Sequence, residues 1–189
     1  MKGKIIILSA PSGTGKSTII ASLMGCRDLR LGFSISATSR MPRGQEQHGK
    51  DYFFLSEEEF QQRIDQGDFV EWEEVYAGTR YGTLESEVTR VTESGHNLIM
   101  DVDVKGALNI KKRFGVEALS IFIMPPDIAT LEHRLTSRGT DSAETIARRL
   151  AKAEYEIGFA DRFDTVVVND DLSRAVEEVA DRIRTFAGK

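Results

Sequence analysis

Residues 4–18, KIIILSAPSGTGKST, constrain this chain more than any other stretch. The run Ile5-Ile6-Ile7-Leu8 is apolar, mostly β-branched and too short for a helix, so it reads as a buried strand. Ala10, Pro11, Ser12, Gly13, Thr14 and Gly15 follow. Lys16, Ser17 and Thr18 then open a run with helical spacing through Ile19, Ile20 and Leu23. Strand, glycine-rich loop and helix in that order are the setting of a phosphate-binding loop. Loop N–H groups and the positive end of the helix dipole together favour an anion. Gly13 and Gly15 allow backbone angles and close approach that a Cβ would block. Lys16 can neutralise the β- and γ-phosphates, and the Ser17 hydroxyl can ligate Mg²⁺. The pattern G-x-x-x-x-G-K-[ST] carries Ala10 in place of its first glycine, which is tolerable if φ there is negative.

The rest of the chain narrows the partners. A length of 189 residues fits one domain with small insertions, and 40% hydrophobic residues suffice for a core. Lys plus Arg total 25 against 30 Asp plus Glu, a net charge of −5. That balance argues against non-specific nucleic-acid binding. An anionic substrate must then be met by a local cluster of cations. Cys26 is the single cysteine, which excludes an internal disulfide framework and a cysteine-rich zinc site. The N-terminus is strand-like rather than a signal peptide, and no apolar run approaches the roughly 18 residues of a membrane span. A soluble, cytoplasmic protein is expected.

Further strands are expected at 33–37, 51–55, 69–76, 97–103, 119–124 and 165–169. Helices are expected at 16–24, 57–66, from about 84, at 104–114, 127–138, 142–159 and 171–186. Ser56 with Glu59 forms a capping-box pattern before the second of these. Five apolar strands separated by helices imply an α/β fold with a five-stranded parallel sheet flanked by helices. Residues 34–83 interrupt that alternation and read as a mixed α/β insertion. Ligands in such sheets sit at the C-terminal strand ends, which gathers the glycine-rich loop, Ser36, Asp101, Asp103 and Asn169.

A phosphate loop alone does not choose among ATPase, GTPase and kinase. The guanine-reading Asn-Lys-x-Asp element of a GTPase is missing, because the last strand runs into Asn169-Asp170-Asp171 without the lysine. End to end, the chain resembles the guanylate kinases. SAPSGTGKS, FSISATSRMPRGQEQHGKDY, FVEWEE, YGT, DVDVKG, RLTSRGTDS and VVVND fall in that family's order and near its spacings. The resemblance implies a P-loop core (1–33, 84–126, 160–189), a GMP-binding insertion (34–83) and a helical lid (127–159). It implies transfer of a phosphoryl group from ATP to GMP with Mg²⁺.

The site residues carried by this resemblance make physical sense. Arg40, Arg43, Tyr52 and Tyr81 would converge on the GMP phosphate, a dianion that wants several donors. Glu71 would accept from guanine N1–H and the 2-amino group. Ser36 would donate to O6, and Thr83 would add a contact. Adenine would leave Glu71 without its donors, worth discrimination on the order of 10⁴–10⁵. Asp101 is left between a guanine contact and the metal's water shell, and Asp103 between that shell and none. Ala10 to Thr18 would hold ATP, with Asn169 near adenine. Lys16, Arg134, Arg138 and Arg149 would close on the transferring group. Lys105 stands where the family commonly has Gln, and could pair with Asp101 or Asp103 or touch the GMP phosphate.

Each of these residues also has a plainer reading. A single helix arginine is usually solvated, and Arg148 is read that way. Tyr52 and Tyr81 could be packing with a wet hydroxyl. His48, His96 and His133 lack metal-ligand spacing. The rival function is a catalytically silent guanylate kinase-like module that binds a phosphoprotein, a reading that leaves Lys16, Ser17 and the lid arginines without purpose.

Overall fold

The computed structural model describes residues 2–76, 78–137 and 142–188. In chain order the elements are β1 (Ile5–Ser9), α1 (Lys16–Met24), β2 (Leu31–Phe33), β3 (Ala37–Thr38), β4 (Phe53–Phe54), α2 (Glu57–Asp65), β5 (Phe69–Tyr76) and β6 (Thr79–Leu84). Then come α3 (Glu85–Glu93), β7 (Asn97–Asp101), α4 (Val104–Phe114), β8 (Ala118–Met124), α5 (Ile128–Ser137), α6 (Ala143–Ile157), β9 (Thr165–Val168) and α7 (Leu172–Ala187).

β1 is buried along its whole length. Its side chains divide between two cores, because successive strand residues point to opposite faces. Ile5 and Ile7 join Leu98, Val104, Ile110 and Phe122. Ile6 and Leu8 join Ile19, Leu23, Ile121 and Ile183. Each such fully buried aliphatic contributes about 1.5–3 kcal/mol, so the loop after β1 hangs from a rigid strand. The larger sheet is parallel throughout, in the order β2-β7-β1-β8-β9. β1 lies between β7 and β8, where the strand order reverses, and the crevice beyond the C-terminal ends at that point is the ligand position of such folds.

A second sheet has the order β4-β3-β6-β5, with β3 parallel to β4 and β6 antiparallel to both β3 and β5. Its own small core stacks Phe60 of α2 on Phe69 of β5, ring centroids 4.5 Å apart, beside Ala37 and Leu84. The Ser56–Glu59 capping box forms as expected. α5 and α6 pack through Leu131, Leu135 and Ala153.

Two readings of the sequence need correction. The segment 33–37 is not one strand. β2 ends at Phe33 in the larger sheet and β3 begins at Ala37 in the smaller one, so residues 34–36 are a passage between sheets. Tyr81-Gly82-Thr83, left out of the expected strands as the approach to a helix near 84, belong to a full strand, β6, that pairs with both β3 and β5. Its sequence TRYGTL has too few apolar residues to announce a strand, and its cross-strand partners supply the order.

Candidate active site

After β1 the chain turns through residues 10–15 onto α1. Gly13 and Gly15 adopt φ of 92° and 100°, and a Cβ would stand 2.8 Å from Leu135 Cδ2 at the first and 2.7 Å from Asn169 Nδ2 at the second. Glycine is required at both for conformation and for space. Among the described non-glycine residues only Arg30 has positive φ, so Ala10 keeps a negative one and its methyl packs against the core. The Lys16 and Ser17 amides at the start of α1 have no intrahelical acceptor and are available to an anion, whereas the Thr18 amide donates to the Gly15 carbonyl at 3.1 Å. Lys16 pairs with Asp101 at the end of β7 and donates to the Val102 carbonyl at 3.3 Å. A cavity of about 390 Å³ opens here, walled by the loop, Lys16, Ser17, Thr18, Asp103 and Arg149.

The loop is braced from outside. Asn169, just past β9 and 4% exposed, donates its amide to the Thr14 carbonyl at 2.7 Å. Arg134 of α5 donates to the same carbonyl at 3.4 Å and to the Asn169 carbonyl at 3.0 Å. Asn169, expected near adenine, thus spends one amide N–H on the loop. Arg149 reaches the Ser12 hydroxyl at 3.4 Å. Arg138, expected to close on the transferring group with Arg134, lies outside the described residues.

A second cavity, about 290 Å³, lies between the two sheets. Ser36, Tyr52, Glu71, Tyr81, Thr83 and Asp101 line it. Glu71 and Thr83 are cross-strand partners in β5 and β6, and the Thr83 hydroxyl donates to Glu71 Oε1 at 2.8 Å. Thr83 thus holds Glu71 in place. Burial raises the Glu71 carboxyl above its ordinary range, the negative charge of Asp103 adds to this, and the Thr83 hydrogen bonds oppose it. At the other end, Arg40 Nε donates to the Tyr81 hydroxyl at 3.1 Å and its guanidinium lies 4.9 Å from the centre of the Tyr52 ring. Arg43 is exposed beside it. Both cavities are walled by Asp101, Val102 and Asp103, so the end of β7 is common to the two. Asp103 also caps α4, accepting from Gly106 N–H at 2.7 Å.

The guanylate kinase family model matches residues 2–186. The chain belongs to the guanylate kinase family. It is 58% identical to guanylate kinase of Porphyromonas gingivalis over 98% of this chain and 99% of that one. It is 56% identical to guanylate kinase of Bacteroides thetaiotaomicron over 100% of this chain and 92% of the relative. The crystal structure of guanylate kinase from Anaplasma phagocytophilum superposes with a TM-score of 0.74 at 29% identity, covering 100% of this chain and 88% of that one. A shikimate kinase from B. thetaiotaomicron, at 11% identity and a TM-score of 0.50, shares the fold.

Several residues around these two cavities escaped the sequence reading. Glu46 grips Arg40 in two bonds of 2.6 and 2.8 Å and accepts from the Arg43 amide at 2.8 Å. The Arg40 bond, then the Arg43 amide, holds the Glu46 carboxyl down to about 2, and Glu46 raises Arg40 in turn. An acid six residues after one arginine and three after another was the available signal. Glu73, on the same face of β5 as Glu71, lines the second cavity, and burial and then Asp103 raise its carboxyl. Lys152 and Glu156 of α6 line the first cavity and pair at 3.7 Å, an i,i+4 spacing that reads equally well as a solvated helix face. The Lys105 ammonium stands 6.0 Å from the centre of the Tyr155 ring.

Proposed function

We propose that this chain transfers the γ-phosphoryl group of ATP to GMP, giving ADP and GDP in purine nucleotide metabolism, with ATP in the loop cavity and GMP in the inter-sheet cavity. The observation that carries the assignment of the two cavities is their shared wall at Asp101–Asp103, with Lys16 standing on it. Two nucleotides placed on either side of one strand end bring their phosphates together without crossing protein.

In this reading Glu71 and Ser36 select guanine, and Arg40, Arg43, Tyr52 and Tyr81 hold the GMP phosphate. Lys16, Arg134, Arg138 and Arg149 neutralise charge spread over the transferring group. The nucleophile is a GMP phosphate oxygen, already ionised because its second pKa is about 6, so no general base is required. Catalysis is then positioning and charge neutralisation. The smaller sheet with α2 serves as the GMP-binding unit and residues 127–159 as the lid, whose closure keeps water from the phosphoryl group.

Mg²⁺ suits the donor set. Ser17 offers a hydroxyl, Asp101 and Asp103 offer carboxylates, and the nucleotide brings phosphate oxygens, the hard and partly hydrated company this ion prefers. Ser17 would hold it directly and the two aspartates through water. Bound there, it would draw charge from the β- and γ-phosphate oxygens.

The cytoplasm is the proposed location, and the net charge of −5 supports nucleotides rather than nucleic acid as partners. Among the described residues no helix is long and apolar enough to cross a membrane. The deciding assay measures ADP release with GMP, dGMP, AMP, CMP and UMP offered in turn. Turnover with GMP far above AMP, CMP and UMP is expected, and the dGMP rate reports whether the ribose hydroxyl is read. GMP binding without turnover would instead favour a silent phosphoprotein-binding module.

A further inference from the structure

We propose that Glu87 is a positioning residue for the acceptor site, its carboxylate clasping together the two places where the backbone passes between the sheets and thereby setting where Ser36 stands. The chain leaves the larger sheet after Phe33 and enters the smaller one at Ala37. It returns where β6 ends at Leu84 and α3 begins at Glu85. Glu87 lies in the first turn of α3, on the return passage, and is 4% exposed. Its Oε2 accepts from the Ile35 N–H at 2.8 Å, in the middle of the outgoing passage. Arg90, one turn further along α3, grips the same carboxylate through Nε and Nη2, both at 2.7 Å, and reaches the Phe33 carbonyl at 3.4 Å.

The clasp bears on the site through Ser36, the neighbour of Ile35. The Ser36 carbonyl accepts from the Phe53 N–H at 2.9 Å, and Ser36 lines the inter-sheet cavity. Residues 34 and 35 belong to neither sheet ladder, so the Ile35 amide takes its partner from a side chain. A buried acid paired with an arginine adds little net stability, but it fixes geometry, because only one arrangement satisfies all its donors. Burial alone would raise the Glu87 carboxyl, but Arg90 and the Ile35 amide outweigh it and keep the group ionised. The clasp rests on the GMP-kinase reading for its catalytic consequence and not for its structure.

Glu87→Gln keeps an oxygen for the Ile35 amide, whereas Glu87→Leu removes it. In Glu87→Leu the KM for GMP should rise about tenfold or more with the KM for ATP held within about twofold, and Glu87→Gln should stay within about threefold of wild type for both. An unchanged KM for GMP in Glu87→Leu, or both KM values rising together, would overturn the proposal. Amide exchange of the nucleotide-free protein gives an arm independent of activity. Exchange at residues 34–36 should quicken about tenfold or more in Glu87→Leu while β1 amides keep their rate, and equal exchange in both proteins overturns the clasp. If Glu87→Leu does not fold, Arg90→Leu serves, since that side chain is 55% exposed. It should quicken exchange at 34–36 and raise the KM for GMP selectively by about threefold, and no change in either overturns the clasp. A wild-type protein that does not phosphorylate GMP would sink the phosphotransferase reading and leave exchange to decide the clasp.

Discussion

The side-chain amide of Asn169 donates to the Thr14 carbonyl at 2.7 Å, joining the end of the last strand to the phosphate loop across 155 residues of chain. The same amide nitrogen lies only 2.7 Å from where a Cβ on Gly15 would be. The loop's shape is therefore set from both directions: glycine makes room, and asparagine fills the room with a donor.

Replacing that donor by an acceptor should be felt on the ATP side only. Asn169→Asp turns a carboxylate toward the Thr14 carbonyl and leaves that carbonyl only the longer Arg134 bond at 3.4 Å, at a cost of about 1–3 kcal/mol. A lower denaturant midpoint and a KM for ATP raised about 10–100-fold are expected, with GMP affinity unchanged. An equal loss of affinity for both nucleotides would contradict the local brace.

Glu71→Gln should trade function for stability. Burial raises the Glu71 carboxyl above its ordinary 4.5. A raised acid favours the neutral form in the fold. Its contribution to stability is complete below 4.5 and lost as pH rises through the folded value. Without nucleotide the glutamine variant should melt above wild type near neutral pH, with the gap closing in acid. Its kcat/KM for GMP should fall by about 100-fold or more, while the poor rates with other bases change little. Melting curves across pH, paired with the base series, check both halves.

The Arg40–Glu46 pair should persist far into acid. Glu46 sits at about 2 in the fold against an ordinary 4.5, so the stability it adds is present above 4.5 and lost as pH falls through about 2. The Arg40 side-chain NMR signal should hold its shift until that lower range. Arg40→Lys cannot serve Tyr81, Glu46 and a phosphate together, because a point charge replaces a planar fork. The KM for GMP should rise about 10–100-fold while guanosine inhibits as before, since only the phosphate contact is lost.

Lys16→Met and Ser17→Ala separate charge from metal. The first should lower kcat about 100-fold or more while GMP still binds, at an affinity shifted only by the freed Asp101 carboxylate. The second should raise the Mg²⁺ needed for half-maximal rate about tenfold, with little change at saturating metal. Activity surviving in Lys16→Met would remove the loop from the reaction.

Local pattern made much of this molecule legible. Ile5 to Leu8, the glycines and Lys16 announce strand, loop and helix because each step has its own residue chemistry, and α1, α4 and β5 fall where their periodicity puts them. Residues 33–37 were opaque for a physical reason. Alternation of apolar and polar residues marks extended chain, and extended chain does not say which sheet it joins. Glu46, Glu87 and Lys152 were hidden in a similar way. An acid or a lysine on a loop or helix is ordinarily solvated, and only three-dimensional neighbours distinguish these from the rest. The acceptor-site residues came from resemblance to a family, since Ser36, Tyr52 and Thr83 carry no pattern of their own.

With ATP and GMP placed as proposed, the pairing of Lys16 with Asp101 would link the two binding events. An ammonium held by a carboxylate must loosen that hold to serve a polyphosphate, and the carboxylate so released faces the other cavity. A donor nucleotide then changes the charge that an acceptor meets before the two touch. Thermodynamic linkage makes the effect reciprocal: whatever factor ATP applies to the affinity for GMP, GMP applies to ATP. In that reading the coupling would reside in one ion pair at the end of β7, and a lysine that stayed with its aspartate would leave the two sites independent.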